Sequence, residues 1–133
     1  MAIQSYQDLI AWQKAMDLVE AVYRASRRFP SDERYELTSQ LRKAVVSIPS
    51  NIAEGQDRSS RKEYIYHLGV ASGSRAETET QLMIARRLGY VDESAIASLL
   101  DQCREVGRLI NGLANALRRS ADRPNQSRRR QDA

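Results

Sequence analysis

Apolar residues recur at steps of three and four along most of this chain, and nowhere do they alternate strictly with polar ones. That period lines side chains along one face of an α-helix and argues against strands. Four stripes can be read. The first runs Leu9, Trp12, Met16, Val19 and Tyr23; the second Leu41, Val45, Ile48 and Ile52. The third carries Tyr64, Leu68, Ala71, Leu82, Ala85 and Leu88. The fourth carries Ile96, Leu99, Cys103, Val106, Ile110, Leu113 and Leu117.

Boundary residues punctuate these stripes. Ser5 predicts a cap for the first helix, with Asp8 favouring its positive end. Phe29-Pro30-Ser31 ends it, since proline cannot continue the turn, and Ser31 is expected to cap the second helix. Gly55 suits a left-handed C-terminal position for that helix. Ser60 and Glu63 have the spacing of a capping box for the third, which stops at Gly89, and Asp92 caps the fourth. The third and fourth helices, each on the order of 40 Å at 1.5 Å per residue, are joined by a short hairpin and must run antiparallel. The expectation is an all-α, up-down antiparallel four-helix bundle over residues 1–119.

Some apolar residues fall beside the stripes: Ile10, Leu18 and Val22 on the first helix, and Ile65, Val70 and Ile84 on the third. Gly69 and Gly73, four apart in the third helix, each cost roughly 1 kcal/mol relative to alanine. They mark a face for close helix approach, either inside one bundle or between subunits, and self-association is the expectation. Pro49 interrupts the second stripe. It either kinks that helix or begins a short extra turn after an end near Ser47.

Charge changes the picture only at one end. Of 133 residues, 21 are basic and 17 acidic, a formal charge of +4. Residues 118–133 hold six arginines and two aspartates, so residues 1–117 are neutral. Residues 120–133 have almost nothing apolar to bury and are expected to be a disordered Arg-rich tail. Such a tail either solubilises the protein or binds phosphate without sequence preference. The N-terminus lacks the basic and apolar regions of a signal peptide, and no membrane-length apolar run occurs, so the cytoplasm is the expected location.

Candidate chemistry is thin. The polar residues near Pro49, with Asn51 and Glu54 among them, and the group Glu77, Glu79 and Gln81 are the only places where paired carboxylates could act. Dimetal bundles need Glu-x-x-His motifs, yet His67 is the single histidine and Glu63 precedes it by four residues. Cys103 is the single cysteine and has no motif context. No catalytic, metal-binding or cofactor-binding residue is therefore assigned.

Several runs resemble a known family. They are Leu9-Ile10-Ala11-Trp12-Gln13-Lys14-Ala15, Gln40-Leu41-Arg42-Lys43-Ala44 and Ser47-Ile48-Pro49-Ser50-Asn51-Ile52-Ala53-Glu54-Gly55, followed by Ala71-Ser72-Gly73-Ser74, Glu77, Glu79 and Gly89-Tyr90. Together they resemble the four-helix-bundle proteins encoded within intervening sequences of bacterial 23S ribosomal RNA genes. Trp12, Ser50, Asn51, Glu54, Gly55, Gly73, Glu77 and Glu79 are then the motif's structural residues. Thr78 departs from the leucine more usual there, which predicts looser packing. The resemblance implies a bundle commonly assembled as a homopentamer, with no established enzymatic activity. The chain is also similar to the accessory protein of diversity-generating retroelements, a pentamer held to bind nucleic acid and a reverse transcriptase. By that likeness Arg24, Arg27, Arg28, Arg58, Arg61, Lys62, Arg86 and Arg87 become candidate contacts for RNA or DNA. The rival expectation is a protein-binding adaptor with no nucleic-acid role.

Overall fold

The computed structural model describes residues 5–121; the Arg-rich stretch beyond lies outside the described residues. Four α-helices carry the fold: α1 (Ile10–Ser26), α2 (Leu37–Asp57), α3 (Arg61–Arg87) and α4 (Glu93–Ala121). Helices adjacent in sequence pack side by side, and α1 against α4 closes the square. This is the expected up-down antiparallel bundle, and among the described residues there is no strand.

The ends of the helices follow local chemistry. Ser5 and Asp8 form a reciprocal capping box, but on a single 3-10 turn, Tyr6–Asp8, so α1 proper starts only at Ile10. At the third helix only the serine half forms: Ser60 Oγ accepts from Glu63 N at 3.3 Å. Asp92 Oδ1 accepts from Ala95 N at 2.8 Å, as expected. Gly89 takes φ +76°, with Tyr90 N bonded to Ala85 O and Gly89 N to Arg86 O. That pair of bonds is a Schellman stop, which needs a residue without Cβ strain at Gly89.

Several expectations are corrected, and the alternative left open at Pro49 is settled. Ser31 does not cap the second helix; it opens a separate 3-10 turn, Ser31–Glu33, and α2 begins at Leu37, whose N–H meets Glu33 Oε1 at 3.4 Å. Helix α2 passes through Pro49 without ending near Ser47. It also runs past Gly55, which is buried in the helix and not in a left-handed cap. On α1 the buried face is shifted: Leu18 and Val22 are wholly buried, Trp12, Val19 and Tyr23 pack against the core only partly buried, and Met16 is 39% exposed. Leu88, read as core, is exposed as well.

The core is otherwise aliphatic and continuous. Leu41, Val45, Ile48 and Ile52 of α2 meet Leu68, Ala71 and Leu82 of α3 and Ile96, Cys103, Val106 and Ile110 of α4, all at or near zero exposure. Thr78 is fully buried among them, its hydroxyl donating to Ser74 O at 2.8 Å, so this polar group is satisfied by its own helix.

Gly69 and Gly73 do not mediate close packing within the chain: a Cβ at either would meet nothing within 4 Å. They sit with Tyr66, Ala76, Thr80 and Met83 on an exposed face of α3 at alternating steps of three and four residues.

Candidate nucleic-acid interface

The motif around Pro49 is a junction between α2 and α3. Asn51 Nδ2 donates to Ser47 O and Ser47 Oγ, at 2.9 and 3.0 Å, turning its oxygen toward His67 Nδ1 at 3.2 Å. Ser74 Oγ donates to Ser47 Oγ at 2.9 Å, and Ser50 Oγ to Val46 O at 2.8 Å. Gly55 lies where the helices nearly touch. A Cβ there would stand 2.8 Å from His67 Cβ and 3.3 Å from Tyr64 O. Beside them Glu54 accepts from Arg58 at 2.7 Å and lies 4.0 Å from His67 Nε2. Arg58, then His67, hold the Glu54 carboxyl below its usual range.

The second acidic group is elsewhere. Glu79 pairs with Arg75 at 2.5 Å on its own helix and with Arg104 of α4 at 4.0 Å. Glu77 is exposed and joins neither. His67 and Glu79 are twelve residues apart on α3, about 18 Å along its axis. Glu54 and Glu79 therefore cannot act as a carboxylate pair. Among the described residues no group of three His, Cys, Asp or Glu side chains converges on one point. Burial pushes the Cys103 thiol up to about 12, which leaves it without thiolate at neutral pH. Trp12 packs edge-on to Tyr6, with ring centroids 5.5 Å apart, and pins the 3-10 turn to α1.

The eight arginines and lysines singled out by resemblance fall into two groups at opposite ends. Arg24, Arg27 and Arg28 close α1 next to Arg86 and Arg87 at the end of α3. Arg58, Arg61 and Lys62 lie around the α2–α3 connection, about 40 Å away along α3. Several are already engaged: Arg24 with Glu20 at 3.5 Å, Arg86 with Glu93 at 2.8 Å, and Arg61 with Ser120 Oγ at 3.3 Å.

The first end holds a stronger feature that the sequence reading missed. Two adjoining grooves, of about 420 and about 300 Å³, share Arg34, Thr38 and Arg42. Lys43, Tyr23 and Tyr35 complete one, and Arg27 the other. No carboxylate lines either groove, and among the described residues none of these four cations is paired with an acid. Arg42 is held in place without being neutralised: its Nε donates to Ser26 Oγ at 2.9 Å and its guanidinium lies 4.6 Å over the Tyr23 ring. The signal was available early in α2, where Arg42 and Lys43 follow Thr38 and Ser39 by four residues.

Beside this end Phe29 stacks against Tyr90 at 5.5 Å, and Tyr90 Oη donates to Glu33 at 2.8 Å. These contacts tie the α1–α2 connection to the α3–α4 turn, and the Glu33 carboxylate raises the Tyr90 phenol.

A family model described as 23S rRNA-intervening sequence protein matches residues 7–112. The chain has no match among curated proteins. Among solved structures it resembles a protein of unknown function from Bacteroides thetaiotaomicron, placed in the S23 ribosomal protein family. The two are 20% identical with a TM-score of 0.74, over 80% of this chain and 96% of that one. At that identity the likeness speaks for the fold.

Proposed function

The chain belongs to the 23S rRNA-intervening sequence protein family, and from that premise we propose a non-enzymatic, self-assembling helical scaffold that contacts RNA or DNA through the α1–α2 end of its bundle. The observation that carries this is the pair of adjoining carboxylate-free grooves lined by Arg27, Arg34, Arg42 and Lys43. Four unpaired cations at one end attract a phosphate backbone, and their number sets how steeply binding falls with salt. No helix among the described residues is long and apolar enough to cross a membrane.

A titration with duplex DNA and structured RNA at several salt concentrations tests this. Arg34→Glu/Lys43→Glu should weaken binding at least tenfold and flatten the slope of log K against log salt by about 1.5–2, two phosphate contacts being lost. Arg58→Glu/Lys62→Glu at the far end serves as the control. Equal losses from both pairs would refute a site at the α1–α2 end. A chain ending at Leu117 separates the tail's contribution.

Self-assembly, as a homopentamer in the family-based expectation, is supported by the exposed face of α3, where Gly69 and Gly73 leave open space beside Tyr66 and Met83. A second copy, or a protein partner such as a reverse transcriptase in the adaptor reading, would find close approach there. Gly73→Leu should keep the chain folded, gaining about 0.5–1 kcal/mol of helix propensity, while lowering the mass of the assembly by light scattering. An unchanged assembly would remove this face from the interface.

A further inference from the structure

The groove beside Tyr35 has a composition that a duplex does not need. Tyr35 lies between the 3-10 turn Ser31–Glu33 and α2, and the residue is 84% exposed, the most of any large hydrophobic residue described. A single exposed aromatic is ordinary on a protein surface; Tyr35 is set apart by the cations around it. It shares its groove with Arg34 on one side and Arg42 and Lys43 on the next turns of α2. The groove's volume of about 420 Å³ falls in the roughly 300–1,000 Å³ range of ligand clefts.

Phosphate contacts alone require only the cations. A ring standing among them adds a flat apolar face, and base pairs stacked inside a duplex cannot reach such a face. Unpaired bases can, and single-strand-binding surfaces combine a basic groove with aromatic platforms in this way. We propose that the Tyr35 groove binds single-stranded nucleic acid, stacking one unpaired base on the Tyr35 ring while Arg34, Arg42 and Lys43 hold the flanking phosphates. This rests on the nucleic-acid reading above and narrows it to unpaired strands. An acidic or phosphorylated peptide, the competing occupant, would use the cations without requiring a stacking ring.

The test is fluorescence anisotropy with a labelled twelve-nucleotide oligouridine and a duplex of equal length at low salt. It uses the full chain as wild type, Tyr35→Ala and Tyr35→Phe. The expected result is tighter binding of the single strand than of the duplex by the wild type. Tyr35→Ala should weaken the single strand by about fivefold to a hundredfold, the range for one stacked base, and leave the duplex unchanged. Tyr35→Phe, which keeps the ring, should bind like the wild type. Because the ring is solvent-exposed, folding is not at stake in either variant. Single-strand binding unaffected by Tyr35→Ala would overturn the stacking site while leaving the broader nucleic-acid reading intact. Failure of the wild type to bind either probe would overturn both.

Discussion

Leu18→Ala is expected to lower the unfolding free energy by about 2–5 kcal/mol in urea titrations, the range for truncating a buried leucine. Met16→Ala, two positions away, should cost less than about 1 kcal/mol, as surface substitutions do. Leu18 is wholly buried and its loss leaves a cavity between α1 and its neighbours, while Met16 faces water with 39% of its surface. Set against a typical total of about 5–15 kcal/mol, the first change alone could bring the bundle near its unfolding threshold. Equal effects from the two substitutions would mean that α1 turns a different face to the core.

The second large effect runs against helix propensity. Alanine is the better helix former by about 1 kcal/mol, yet Gly55→Ala should destabilise by about 1–3 kcal/mol. The new methyl group would lie 2.8 Å from His67 Cβ and 3.3 Å from the Tyr64 carbonyl oxygen. Neither is the free end of a flexible side chain, so α2 and α3 must part to admit it. Thermal unfolding decides the sign: a raised Tm for Gly55→Ala would show that the helices are not in close approach there.

These two residues show what could be read in the chain and what could not. The helix count, the antiparallel order and the α4 stripe follow from periodicity, because α4 has one strongly apolar face and polar residues elsewhere. Helix α1 has two candidate faces, one with Trp12 and Met16 and one with Leu18 and Val22. Hydrophobicity favours both, and only the width left between α2 and α4 chooses between them; Ala11 and Ala15, small enough to fit, mark the buried side. Gly55 looked like a stop because a glycine ending a polar run usually is one, and no local rule distinguishes that from close approach to a distant helix. The functional end was harder to see for a similar reason. Arg27, Arg34, Arg42 and Lys43 are spread over seventeen positions and become one surface only when the α1–α2 connection folds back.

Apolar stripes by themselves leave a bundle free to slide. Moving α2 by one turn, about 5.4 Å, against α3 presents nearly the same row of aliphatic side chains to the core. The bonds from Ser47 to Ser74 and from Asn51 to His67 remove that degeneracy. A one-turn slip would break both and press the Gly55 notch against the wrong part of α3. The pair therefore acts as a two-toothed key that fixes the longitudinal phase of the bundle. In doing so it sets how far the α1–α2 connection, with its cationic groove, stands from the opposite end.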